Sequence, residues 1–331
     1  MGDKTAIMKI IDLAQTAEVL RRSRSVVLLT HLQPDGDAVG SLLAASALLE
    51  ALGKEVTAVC HDAVPKNLRV LPGWEQIKKP AEVTTRDFDL ACSLDASDLA
   101  RLGDGGQLFS ACPYTLVIDH HASNICFGMD NYIDSQVAAT GNLVFRLYEQ
   151  LEAPMNADIA ALLYAAISTD TGNFSFGQMD EEFFLQMSKL MRAGLDISHY
   201  SRALHLVKDL SFYRLLGCCL DSLSFECGGR LSMMRLSDAD FQQTDTTQDL
   251  VEGLVNYALN IPGVQMCFLA TQVEASQTKF SLRALAPHNV AVIAKEMGGG
   301  GHVLAAGFTL DLPLDEAIDR VKARMIKSLC P

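Results

Sequence analysis

The stretch "HLQPDGDAVGS" (His31–Ser41) follows directly on the apolar run "SVVLLT" (Ser25–Thr30). A histidine and two carboxylates, Asp35 and Asp37, fall within seven residues, with a glycine between the carboxylates. A polar turn whose aspartate caps the next helix would account for either acid alone. Both together at the end of a buried strand ask for a positive partner, because uncompensated charge is costly away from water.

Outward from this stretch the chain alternates. Met8–Ser23 reads as a helix, Val26–Thr30 as a buried strand, and Val39–Leu52 as a helix that stops at Gly53. Strands are expected at Glu55–Cys60, "FDLACSLD" and "YTLVIDHH". Helices are expected at Gly141–Leu151 and Ala157–Thr169, the latter apolar nearly all round. The alternation predicts an α/β domain with a parallel sheet and helices on both faces.

Function in such sheets gathers at the carboxyl ends of the strands. The first strand ends in "HLQPDGD", the third in "SLDASD", the fourth in "IDHH", and the buried helix in "STDTGNFSF". Alone, each of these acids reads as a turn or a cap, and His121 as a hydrogen-bonded histidine. Brought to one sheet edge, His31, Asp35, Asp37, Asp95, Asp119, His120, His121 and Asp170 read as a metal centre. Imidazoles and carboxylates without thiolates suit manganese, iron or a similar ion, and the set is large enough for two.

The 331 residues suggest two domains, and nearly half of them are apolar. A net charge of −13 and a pI near 5.0 argue against a protein that coats long nucleic acid, though not against a small anionic substrate. Nine cysteines without a C-x-x-C motif read as reduced core thiols. The opening "MGDKTAIMKIIDLAQ" lacks a secretion-signal pattern, and the longest apolar run, Ile159–Ile167, is too short for a bilayer. A cytoplasmic protein is the expectation.

Helical signals continue through 180–223. Then "RLSMMRL", "MCFLATQV" and "TKFSLRAL" read as strands, with a helix at Gln248–Asn260 and a glycine-broken helix in "HNVAVIAKEMGGGGHVLAAGF". The expected organisation is a catalytic domain over 1–192, a helical linker over 193–223 and a smaller α+β domain over 224–331.

The segments "HLQPDGDAVGS", "SLDASDLARLG", "VIDHHASN" and "ISTDTGNFSF" resemble the four motifs of the DHH phosphoesterases, named for the triplet Asp119-His120-His121. "SLRA" and "GGGGHVLAAGF" resemble the glycine-rich DHH-associated domain. In length and domain pair the chain looks most like the nanoRNase group, bacterial oligoribonucleases that often dephosphorylate 3′-phosphoadenosine 5′-phosphate (pAp). The resemblance implies two manganese ions, with magnesium or cobalt as substitutes. One would rest on His31 and Asp35, the other on Asp37, His120 and Asp170, with Asp95 bridging. It further implies that His121 faces the scissile phosphate and that Asp119 orients a histidine, so that His121, Asp95 and Asp119 serve catalysis. A water between the ions would attack phosphorus in line.

The implied substrates are short single-stranded RNA or DNA, pentanucleotides or shorter, or small nucleotides such as pAp. No long duplex and no membrane is implied, and a homodimer is compatible. Cyclic or linear dinucleotides and RecJ-like exonuclease action on single strands are the alternatives among enzymes. A non-catalytic nucleotide sensor would be marked by a missing ligand, whereas every motif position here carries the expected residue type.

In the second domain, Gly299, Gly300, Gly301 and His302 can expose successive N–H groups to an anion, and Arg283 suits a bidentate phosphate contact. A glycine-rich bend at a helix end is the plain alternative. Ala284 stands where the family often has a small polar residue. Arg101, in "DLARLG", reads equally as structural or as a second phosphate contact, and Asn124 and His288 read as structural.

Overall fold

The strand Ser25–Leu29 (β2) has four of its five residues buried, and "LACSL" and "TLVID" are buried throughout. Side chains alternate across a strand, so continuous burial means both faces are covered. The computed structural model describes residues 9–85, 87–251 and 253–329, and the chain divides into two units between Val207 and Lys208.

The first unit runs β1 (Lys9–Ile10), α1 (Leu13–Arg22), β2, α2 (Gly36–Ala51), β3 (Glu55–Val59), β4 (Leu90–Leu94), α3 (Gly105–Ala111), β5 (Thr115–Asp119) and β6 (Asp130–Ile133). It continues with α4 (Thr140–Gln150), α5 (Ala157–Asp170), α6 (Glu181–Arg192) and α7 (Ile197–Ser201). All pairings in its sheet are parallel, in the order β1-β6-β5-β4-β2-β3. Val26, Leu28, Cys92 and Ile118 pack with the helices α1, α2, α4 and α5 on one face. Val27, Leu29, Ala91 and Val117 meet Leu108 and Phe109 of α3 on the other. This is the α/β architecture with helices on both faces.

Two local expectations change. Met8 lies outside the described residues, and the helix expected from there begins only at Leu13, because Asp12 and Gln15 form a reciprocal capping box that closes its start. Lys9 and Ile10 pair with β6 instead. The helix expected over Gln248–Asn260 is broken at Gly253, whose φ of 81° lies in the left-handed region.

The second unit holds α8 (Leu210–Asp221), β7 (Ser224–Glu226), β8 (Leu231–Leu236), α9 (Asp238–Thr244), α10 (Leu254–Leu259), β9 (Met266–Glu274) and β10 (Gln277–Ala284). Then follow α11 (Val290–Glu296), β11 (Gly300–His302), β12 (Ala305–Leu310) and α12 (Leu314–Leu329). Its mixed sheet has the order β11-β12-β10-β9-β8-β7, with only β8 and β9 parallel. Helices α11 and α12 cover one face, while α8, α9 and α10 cover the β8–β9 part of the other.

The stretch 193–223, expected as a linker, is shared between the units. Leu195 and Leu204 join the core of the first. Phe212, Leu215, Leu216 and Cys219 of α8 join the core of the second. Each buried apolar side chain contributes about 1.5–3 kcal/mol, more than the roughly 0.5–1 kcal/mol of rotamer entropy it loses, so an amphipathic helix docks on the sheet beside it. Among the described residues no helix is long and apolar enough to cross a membrane.

Candidate metal centre

Helix α2 begins at Gly36, and Asp35 is its cap: Asp35 Oδ1 accepts the Ala38 N–H at 3.0 Å. Asp37 lies inside the first turn and is buried. Its Oδ1 accepts the Ser41 hydroxyl at 2.8 Å and the Gly141 N–H at 3.0 Å, and its Oδ2 accepts the Thr140 N–H at 2.7 Å. The amides that open α4 therefore hold this carboxylate, as helix N-termini favour anions. The approach needs glycine. A Cβ on Gly40 would stand 2.4 Å from the Leu162 carbonyl oxygen, and one on Gly141 would stand 2.5 Å from Ala166 Cβ. Close contact of α2 and α4 with α5 carries Asp170, the last residue of α5, to the same place.

Asp95 follows β4 with a φ of 58°, a left-handed conformation that costs a non-glycine residue on the order of 1–3 kcal/mol. The turn aims its two oxygens apart. Oδ2 lies 3.5 Å from His31 Nε2, and that nitrogen is 3.7 Å from Asp35 Oδ1. Oδ1 lies 3.8 Å from His120 Nε2, which is also 3.3 Å from Asp170 Oδ2 and 3.9 Å from Asp37 Oδ2. The ligand atoms form three compact sets, His31–Asp35–Asp95, Asp37–His120–Asp170 and Asp95–His120–His121, the last through His121 Nδ1 at 3.6 Å from Asp95 Oδ1, and Asp95 faces both of the first two. The Thr140 hydroxyl donates to Asp95 Oδ1 at 3.0 Å.

These separations exceed good hydrogen bonds. Metal–ligand bonds of about 2.1 Å put neighbouring ligand atoms roughly 3–3.5 Å apart, and nitrogen and oxygen donors without sulfur suit a divalent cation. The electrostatics agree. Burial, then the charges of Asp95, Asp170 and Asp35, push Asp37 well above the carboxylate range. Burial, then Asp95 and Asp35 against the opposing histidines, lift Asp170 to about 7. Burial alone would lower His31, yet Asp35 and Asp95 raise it to about 10. The cluster takes up protons because it carries more negative charge than its imidazoles balance, and cations meet the same need.

His121 stands beside the two sets. Its Nδ1 is 2.7 Å from Asp119 Oδ1, which fixes the ring, and the Asp119 bond and neighbouring carboxylates outweigh burial to raise it to about 9. Asp119 is fully buried, and its Oδ2 accepts the Asn124 amide at 2.6 Å. Asn124, Thr140 and Ser41 thus orient the acids. Nothing local in the sequence marks Thr140, which lies 103 residues from Asp37 in the chain. Arg101 is placed by its carbonyl, which accepts the Leu32 N–H at 2.7 Å, and its guanidinium comes within 3.2 Å of His31 Nδ1. That nitrogen is closer to the Leu32 carbonyl, 2.7 Å away, so it donates there and does not also accept from the guanidinium.

In the second unit the glycine run starts as the end of α11 and then continues into a strand. Gly298 is left-handed at a φ of 86°, and the Gly299 N–H donates to the Ala294 carbonyl at 2.8 Å. Gly300–His302 form β11, the edge strand on β12. His302 and Arg283 both pair with Ala305, which sets them in one row across three strands. A Cβ on Gly299 would meet the Gly307 carbonyl oxygen at 2.2 Å, whereas one on Gly300 would meet nothing within 4 Å. Arg283 Nη1 donates to the Leu282 carbonyl at 2.9 Å. His288 approaches the Gln265 side chain at 3.3 Å.

Residues 25–167 match the DHH family, N-terminal domain, and residues 232–328 match the DHHA1 domain. The chain is 34% identical over 307 residues to the bifunctional oligoribonuclease and PAP phosphatase NrnA of Thermus thermophilus, covering 92% of this chain and 90% of that protein. The Bacillus subtilis protein of the same name is 24% identical over 330 residues, with 99% and 98% covered. An exopolyphosphatase-related protein of Bacteroides fragilis superposes with a TM-score of 0.89 at 25% identity, covering 96% of this chain and 95% of that one. With the acid–histidine cluster at the sheet edge and both domains in place, the chain belongs to the DHH family of metal-dependent phosphoesterases, hydrolases of phosphate ester bonds.

Proposed function

We propose that this chain hydrolyses short oligonucleotides, pentanucleotides or shorter, and pAp, with two manganese ions as its cofactor. The observation that carries the reading is the pair of Asp95 oxygens, each turned toward a different set of ligand atoms. His31, Asp35 and Asp95 Oδ2 would hold one ion. Asp37, His120, Asp170 and Asp95 Oδ1 would hold the other. When bound, such a pair supplies an acidified water for in-line attack and takes up charge on the phosphoryl oxygens.

The chain's own groups do the rest. Thr140 keeps Asp95 in its strained turn. Asp119, braced by Asn124, orients His121 to donate a hydrogen bond to a phosphate oxygen as charge develops there. Arg101 offers planar donors beside His31. In the second unit, Arg283, His302 and the backbone of Gly300 and Gly301 bind substrate phosphate, while Gly299, whose N–H donates to the Ala294 carbonyl at 2.8 Å, shapes the bend that presents them. The acidic net charge supports short single strands and small nucleotides as partners, not long duplex. The described cysteines are free thiols, as suits a cytoplasmic protein.

The test is turnover by the purified full chain with manganese, offered pAp, a di- to pentanucleotide series, pApA, cyclic di-AMP and pyrophosphate. Phosphate release from pAp and mononucleotides from the oligomers are expected. Preference for cyclic di-AMP or pApA would move the assignment to a dinucleotide phosphodiesterase, and no turnover of any of them would overturn it. Light scattering on the same sample reads whether the chain is a homodimer.

A further inference from the structure

We propose that Phe176, on the loop that follows the Asp170 end of α5, is a stacking platform for the nucleobase of the substrate. The proposal rests on the nucleotide reading above and adds the residue that recognises the base. It starts from the loop that leaves α5 after Asp170. Gly172, Asn173 and Phe174 have φ values of 53°, 55° and 64°, three left-handed residues in a row of which two are not glycine. A bulky residue such as Phe174 adopts this conformation only when its surroundings impose it.

Buried Thr171 does the imposing. Its carbonyl accepts the N–H groups of Ser175 at 2.9 Å and Phe176 at 3.1 Å, and its hydroxyl accepts the Phe174 N–H at 3.2 Å. Asn173 N–H reaches back to the Ser168 carbonyl at 2.6 Å. The chain is thus folded back upon the end of the helix that carries Asp170.

The two phenylalanines of this loop then part company. Phe174 turns inward, with ring centroids 6.2 Å from Tyr164 and 5.8 Å from Phe183. Phe176 stays 56% exposed. Its ring is held all the same, because it lies upon Gly172, where a Cβ would stand 2.1 Å from Phe176 Cε1. A ring fixed against backbone two residues from Asp170, and open to water otherwise, is an aromatic surface waiting for a flat apolar partner. A nucleobase is tied through one sugar to the phosphate that the cluster handles, so it is the apolar group delivered to this spot. The left-handed turn, otherwise a cost to the fold, sets the ring there.

Stacking of a base on an aromatic side chain changes affinity roughly 5- to 100-fold. The experiment compares pAp with ribose 3′,5′-bisphosphate, which carries the same phosphates and no base, in the wild type, Phe176→Ala and Phe176→Trp. The wild type should show a KM about 5- to 100-fold lower for pAp. That gap should collapse toward unity in Phe176→Ala and persist in Phe176→Trp. The new indole adds a second readout, since the chain has one other tryptophan, Trp74. Adenosine nucleotides should quench the emission of Phe176→Trp beyond the response of the wild type, and ribose 5-phosphate should not.

A gap of equal size in Phe176→Ala, or no gap in the wild type, would overturn the platform while leaving the phosphatase reading intact. No turnover by the wild type, together with selective quenching by adenosine nucleotides, would do the reverse. Quenching by both ligands alike, or by neither, would count against stacking whatever the kinetics show.

Discussion

The acid–histidine cluster of the first unit and the glycine–arginine face of the second are both assigned to phosphate in the function proposed above, but they are built in opposite ways. The cluster gathers side chains from the ends of β2, β4, β5 and α5 and from the start of α2, residues as far apart as His31 and Asp170. Asp37 and Asp95 are braced by donors from the start of α4, and Asp119 by Asn124. The second face uses neighbours in strand register, with Arg283, Ala305 and His302 in one row. Convergence gives a cluster whose parts share one charge balance, so losing a part disturbs them all. Register gives a surface whose parts act nearly independently. The cluster concentrates negative charge and calls for cations, while the face offers guanidinium, imidazole and amides to an anion.

The largest effect should follow from breaking the shared acid. Asp95→Ala should lower kcat by about 10³-fold or more, because it takes a ligand from both sets and leaves neighbouring acids unbalanced. Its metal content, read by mass spectrometry on the dialysed protein, should fall from about two ions per chain toward one or none. Retention of a tenth of wild-type kcat would show that Asp95 does not join the sets. Arg283→Ala should raise KM for pAp by roughly 10- to 100-fold, the worth of a charge-assisted hydrogen bond, with a smaller change in kcat and full metal content. If kcat fell as far as in Asp95→Ala, the division between chemistry and grip would fail.

Metal removal sharpens the same contrast without any assay of turnover. Dialysis against a chelator should destabilise the first unit alone. Saturation at a hundred times the dissociation constant is worth about 2.7 kcal/mol of unfolding free energy. Hydrogen exchange should slow on adding manganese at the amides of α2, α4 and α5, with no change in β10–β12. Equal slowing in both units would place a metal where the ligand geometry does not.

Much of this contrast was legible in the sequence, and the reason is burial. A parallel sheet hidden on both faces leaves apolar runs whose charged endings stand out, so His31, Asp95 and Asp119–His121 declare themselves. β6 does not, because "DNYI" carries polar residues that are satisfied in place: Asp130 accepts the Tyr114 hydroxyl at 2.6 Å, and Asn131 bonds the backbone at Gly128. Which aspartate caps α2 was also open, since "DGD" offers two candidates and only the packed helix shows Asp35 in that place. Thr140 was silent, because its contacts with Asp37 and Asp95 arise from the close packing of α4 on α2 and α5. Asn124 read as structural, and it is the support of Asp119 that makes it matter.

The smallest expected effect is the most discriminating for the second face. Gly299 and Gly300 are adjacent and chemically identical, yet the protein constrains them differently. Alanine at Gly299 would drive its Cβ to 2.4 Å from Phe308 Cβ, so Gly299→Ala should cost on the order of 1–3 kcal/mol of stability from overpacking and lower the melting temperature. Alanine at Gly300 meets nothing of the protein. Stability then gives no reason for glycine at that position, whereas the phosphate cradle proposed above would, through close approach of a ligand to the backbone. Gly300→Ala should melt within about a degree of the wild type while raising KM for pAp roughly 5- to 10-fold, through a methyl group set between the strand amides and the phosphate. An unchanged KM with unchanged melting would remove Gly300 from the phosphate cradle and leave the grip to Arg283 and His302.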